Sequence, residues 1–188
     1  MLLLLVTLSC LAAVKALGKP CCMERKWSAT MFDVRALSKG YSITADFYYD
    51  FHNKATAIQY YQYGATQRVK ANRVVTSYKK NEQYNIDADG TCTKHVPTDV
   101  LLPNCIPDDS TDFDSSYIGT EASGLKSDTW HITIGSVNLT VGVTSTNCVL
   151  TYQGMVYPGD FSLDTNAYFN GYKVGITDPA AFDIPPSC

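Results

Sequence analysis

The 188-residue sequence has little excess charge, almost no glutamate and no long apolar run in its interior. Lys and Arg number 15 against 18 Asp and Glu, a net charge of −3. The basic footprint of a nucleic-acid binder is missing. No internal stretch approaches the roughly 20 apolar residues of a membrane-spanning helix. No G-x-S-x-G elbow, H-E-x-x-H helix, phosphate-binding loop or dinucleotide fingerprint occurs. The three histidines, His52, His95 and His131, are scattered, and no C-x2-C pair exists, which disfavours zinc. With no recognisable nucleophile-and-base pattern, no enzymatic activity is expected. Long helical periodicity is also scarce; one short helix is conceivable over residues 116–125. Charged residues at 18% and aromatics at 12% are the wrong balance for a disordered chain.

What is present begins with an apolar run. Residues 1–16 are nearly all apolar and end in small residues, the pattern of a secretory signal peptide without its basic start. Removing them takes away Cys10 and leaves six cysteines: Cys21, Cys22, Cys92, Cys105, Cys148 and Cys188. An even number in an exported chain implies a disulfide framework. The adjacent Cys21 and Cys22 are poorly placed to bond each other and should tie the N-terminus to two places. Cys92 and Cys105 are close enough in sequence to close a local loop, and a bridge at Cys188 would pin the C-terminal end. Asn138-Leu139-Thr140 is the single N-glycosylation sequon.

The clearest structural signal is alternation. Over residues 41–51, Tyr41, Ile43, Ala45, Phe47, Tyr49 and Phe51 share one face, and Asp46, Tyr48 and Asp50 lie on the other. His52-Asn53-Lys54 reads as a turn and residues 57–63 as the returning strand. Further strands are expected over residues 73–78, 83–86, 129–134, 138–144, 148–156 and 167–176, with turns between them. This pattern predicts an all-β, antiparallel sandwich or barrel. Rings occupy both faces of the first hairpin. Either both faces are covered, one by core and one by a ligand or second subunit, or tyrosine serves there only as a favoured strand residue. Ile43, Phe47, Tyr49, Phe51, Trp130, Ile132 and Ile134 are the candidates for an inward-facing, pocket-lining set.

Fifteen of the eighteen acids are aspartate. Asp87-Ala88-Asp89-Gly90 starts like a calcium loop, but Thr91 and Thr98 stand where ligands are required, so it is no EF-hand. Residues 97–116 read as a long surface loop tethered at Cys105. Its acids, Asp108, Asp109, Asp112 and Asp114, are either a weak calcium site or a solvated surface. Asp46 and Asp50 either share a cation with a neighbouring strand or lie on the wet side of a sheet. The basic stretch Arg68, Lys70, Arg73, Lys79 and Lys80 fits either contact with anionic headgroups or an exposed strand rim.

Three short motifs, in order, carry a family resemblance. They are Pro20-Cys21-Cys22 followed by Trp27, the segment Phe47-Tyr48-Tyr49-Asp50-Phe51-His52-Asn53, and the ending from Asp178-Pro179 through Phe182 and Pro185-Pro186 to Cys188. Together they resemble the ependymin-related proteins. After the signal peptide read over 1–16, the resemblance implies a single ependymin-like β domain over 17–188. It implies two stacked, curved antiparallel sheets in a half-open barrel, similar to bacterial lipoprotein carriers, around an apolar pocket for a fatty acid or other lipid. It also implies a secreted or lysosomal glycoprotein, commonly a homodimer, with calcium binding and a role in cell–matrix adhesion. No calcium ligand is carried over residue by residue.

Overall fold

A computed structural model describes residues 18–188. The expected signal peptide lies outside the described residues. Among the described residues eleven antiparallel strands follow one another: β1 (Lys26–Asp33), β2 (Thr44–Asp50), β3 (Ala55–Tyr61), β4 (Lys70–Ser77), β5 (Glu82–Ile86), β6 (Cys92–His95), β7 (Thr111–Ile118), β8 (Leu125–Ile134), β9 (Val137–Thr144), β10 (Leu150–Val156) and β11 (Thr165–Val174). Their spatial order is β6-β5-β4-β3-β2-β1-β11-β10-β9-β8-β7. Two up-and-down meanders thus meet where β1 pairs with β11. The ladder is unbroken from β6 to β7, so the expected two stacked sheets are one continuous sheet.

That sheet is strongly curved. Thr93 of β6 and Met155 of β10 are seven places apart in the strand order, yet they border one cavity. Register shifts in β1, β3, β7 and β10 supply local bends, since an extra residue on one strand kinks and twists a ladder. β6 and β7 remain unpaired with each other, which leaves the barrel half open. The segment linking them, residues 96–110, crosses from one free edge to the other. Cys105 fixes it by a disulfide to Cys22, and Met23 N–H and Ile106 N–H bond across to Asn104 and Cys21 carbonyls.

The main core fills the concave side. Trp27, Ala29 and Met31 of β1 and Ala45, Phe47 and Tyr49 of β2 are buried there at period two. They join Trp130, Ile132, Leu139, Val141, Val143 and Leu150 from the second meander. Trp27 is fully buried and packs its ring against Phe47, Tyr49 and Tyr172 at centroid distances of 5.2, 5.2 and 5.4 Å.

A second, smaller core lies on the convex side. Tyr48, Ala57, Val75, Tyr84 and Ile86 point outward there and are covered by Ile176, Ala181 and Phe182. The C-terminal segment is therefore a strap. Arg73 donates to the carbonyls of Ala180 and Asp183, Ser28 binds Gly175 O and Thr177 N–H, and a Cys92–Cys188 disulfide closes the end. This accounts for much of the ring content on the outer face of the β2–β3 hairpin: the chain's own tail packs over Tyr48, and Arg68 lies over the Tyr61 ring.

Several expectations are corrected. Cys92 and Cys105 do not bond each other, because they leave for opposite sides of the sheet; the pairs are Cys21–Cys148, Cys22–Cys105 and Cys92–Cys188. No helix spans 116–125. Those residues end β7, turn, and begin β8, and Gly124 presses against the Thr120 carbonyl where a side chain would clash. The loop expected over 97–116 ends early, since Thr111–Ile118 is strand. β7 is an edge strand with no buried face, so nothing in its apolar pattern marks it.

Asp46 and Asp50 hold separate cations. Arg68 pairs with Asp46 at 2.8 Å and Lys26 with Asp50 at 2.9 Å. Burial acts to raise the Asp50 pKa, but the Asn53 backbone N–H, Lys26 and the Asn53 amide outweigh it and hold the carboxyl below its usual range. The carboxylate accepts from both nitrogens of Asn53 and so fixes the turn after β2.

Candidate functional site

The curvature of the first meander leaves a cavity of about 520 Å³ on the concave side. Its walls differ in chemistry. Trp27, Phe47, Tyr49, Ile58, Leu102 and Met155 form an aromatic and aliphatic wall. Facing it are Asn72, Thr76, Gln83, Asn85 and Thr93 from β4, β5 and β6. Strand alternation causes this split. On β4 and β5 the apolar residues Val75, Tyr84 and Ile86 point outward beneath the C-terminal strap, so their neighbours, polar except for Val74, point in.

The crossing segment roofs part of the cavity with Thr98, Asp99, Val100 and Leu102. Tyr49 anchors it by donating its hydroxyl to Leu102 O at 2.7 Å, a buried bond. Burial pushes the Tyr49 hydroxyl well above its ordinary pKa, so it remains a donor at physiological pH.

The two ends along the strands carry different polar groups. At one end Tyr78 donates to Asp99 Oδ2 at 2.9 Å, beside Thr56 and Tyr157. Burial raises the Asp99 pKa, an effect the Tyr78 hydrogen bond opposes. Tyr157 is pushed up to about 12, by burial first and then by the nearby Asp99 and Asp164. At the other end Tyr60 donates to Asp33 at 3.2 Å, with Arg35, Lys39 and Tyr41 around it. Arg35 there donates to the carbonyls of Ser162, Leu163 and Asp164, binding the turn after β10 to the rim.

The residues singled out in the sequence fall into three groups. Phe47 and Tyr49 line the cavity. Trp130 and Ile132 are buried in the main core, with Phe51 and Ile134 packed against it, and Lys54 lies over the Phe51 ring. Ile43 is half-buried before β2, in neither core nor cavity. Trp27 stands in the sequence only as part of the family motif, and Met155, Tyr78, Tyr157 and Asp99 are not among the candidates. The first four are aromatic or apolar residues at or beside strands, a recoverable signal; Asp99 sits in irregular chain and has none.

The acidic candidates are dispersed. Asp108 and Asp109 occupy a turn, whereas Asp112 and Asp114 lie on β7, with Asp112 accepting from Gly18 N–H. Among the described residues, no group of three or more His, Cys, Asp or Glu is gathered to hold a metal ion. Within the basic stretch, Arg68 and Lys70 pair with Asp46 and Asp178, and Arg73 serves the strap. Asn138 is exposed at the start of β9, accessible for a glycan.

Comparisons with known proteins agree with this architecture. A family model described as Ependymin matches residues 66–188. Ependymin-related protein 1 of Haliotis asinina is 29% identical over 189 residues, covering 91% of each chain. The crystal structure of an uncharacterized conserved protein from Thermus thermophilus superposes with a TM-score of 0.51 over 87% of each chain, at 11% identity, a likeness of fold alone.

Proposed function

This chain belongs to the ependymin family, and from that premise we propose that it is a secreted, non-enzymatic glycoprotein that holds an amphipathic, lipid-like molecule in its concave cavity. The two-sided cavity is the observation that carries this reading. Its volume of about 520 Å³ lies within the size range of small-molecule sites. An apolar body against Trp27, Phe47, Ile58 and Met155 leaves water at about 0.8 kcal/mol per buried CH2. Ten such groups supply roughly 8 kcal/mol before ordering costs. The Asn, Gln and Thr side chains opposite meet the polar part of the molecule. An oil-filled pocket lined on all sides by hydrocarbon does not describe this site.

Three disulfides and the apolar leader fit export to an oxidising compartment. They also suit a carrier, because they fix both chain ends and the crossing segment while leaving the edges β6 and β7 apart.

Filling the cavity tests the proposal. Delipidated wild-type protein should take up a fluorescent amphiphile with one site per chain. Ile58→Trp, which places a large ring in the cavity, should reduce affinity at least ten-fold and leave the melting curve close to wild type. Equal uptake by both proteins would place the probe elsewhere and refute the assignment.

A further inference from the structure

Asp99 is an unusual group to find on the wall of such a cavity. It lies in the crossing segment, among Tyr78, Tyr157, Val100 and Leu102. Its Oδ2 takes the Tyr78 hydroxyl. Its Oδ1 is buried and has no hydrogen-bond partner among the described residues. No Lys, Arg or His stands within ion-pair distance of it among those residues. A half-buried carboxylate with one buried, unpartnered oxygen and no cation is costly unless something supplies the missing charge and donors.

Resting on the carrier reading above, we propose that Asp99 is the head-group anchor of the cavity and that the ligand is an amphiphile bearing a protonated primary amine. An ammonium group donates directly to a carboxylate oxygen and brings the opposite charge. Oδ1, which lacks a partner, takes the ammonium group after a small side-chain rotation, and Oδ2 keeps Tyr78. The rings of Tyr78 and Tyr157 flank the same end and suit a cation. A fatty-acid carboxylate at this end would face a like charge, so an amine is selected over an acid of the same length.

The titratable groups facing Asp99 are Tyr78 and Tyr157, both with raised pKa values and neutral at physiological pH. The pH dependence at this end therefore belongs to Asp99. Its carboxyl is raised in the folded protein, chiefly by burial. Folding favours the protonated form, so the penalty is absent below the unfolded pKa. It grows as pH rises through the folded value and stays constant above it. Ligand-free Asp99→Asn should melt about 3 °C above wild type at pH 7, and the gap should close below about pH 4.

The binding experiment compares dodecylamine, dodecanol and dodecanoate, each below its micellar concentration, as competitors of a neutral fluorescent probe. Wild type should bind the amine at least ten-fold tighter than the other two. Asp99→Asn should lose at least ten-fold for the amine and less than three-fold for the alcohol. If the amine loses less than three-fold, or if dodecanoate binds wild type as tightly as the amine, Asp99 is not the anchor. Failure of all three to displace the probe would instead remove the carrier reading on which the anchor rests.

Discussion

Trp27→Ala is expected to destabilise the protein by about 4 kcal/mol, the range for deleting a fully buried large aromatic. The side chain is 0% exposed and sits on the central strand that joins the two meanders. It touches Phe47, Tyr49, Phe169 and Tyr172, so no single neighbour can collapse into the space it leaves. Against a typical domain stability of about 5–15 kcal/mol the loss is large. Equilibrium denaturation should show a lowered midpoint with an unchanged slope. Because Trp27 backs the apolar cavity wall by packing on Phe47 and Tyr49, ligand affinity should fall in the fraction that remains folded. A loss below about 1 kcal/mol would mean that the ring is not the centre of this core.

Removing the Cys92–Cys188 bridge acts by a different route. The bridge spans 96 residues of chain, so its loss returns considerable entropy to the unfolded state. A Cys92→Ser, Cys188→Ser double variant should be less stable by about 3 kcal/mol. It should also release the C-terminal strap before the rest unfolds, since the strap's other contacts are a few hydrogen bonds and a handful of apolar side chains. Val75, Tyr84 and Ile86 would then be uncovered, and binding of a hydrophobicity-sensing dye should rise at temperatures well below the melting midpoint. A variant that melts in one step with no early dye binding would show that the strap docks without its disulfide.

The strands most visible in the sequence are those with one wet and one buried face. Residues 41–51 alternate strictly, and the ladder runs over Thr44–Asp50 with the expected Ala45, Phe47 and Tyr49 inward. Alternation does not say which side of a sheet is concave. On β4 and β5 Val75, Tyr84 and Ile86 face outward, because a strap from some hundred residues away covers them, and of the apolar residues there Val74 lines the cavity. β1 was hidden by its small residues Ser28 and Ala29, and β7 by its exposure on both faces. The cysteine pairing depends on where a crossing segment lies in space, and spacing along the chain carries no record of that. Of the candidate pocket residues, Phe47 and Tyr49 were legible as strand aromatics. Trp130 and Ile132 show the same signal yet fill the core, because the second meander packs solidly where the first stays open. Asp99 belongs to the site only because the crossing segment passes over the open side of the barrel.

The direct test of the account is native mass spectrometry of protein secreted from cells and purified without detergent or organic solvent. One lipid-like adduct per chain is expected, lost on organic extraction and restored by adding an amphiphile. A mass explained fully by the mature polypeptide, its three disulfides and any glycan, with no adduct regained after exposure to amphiphiles, would contradict it.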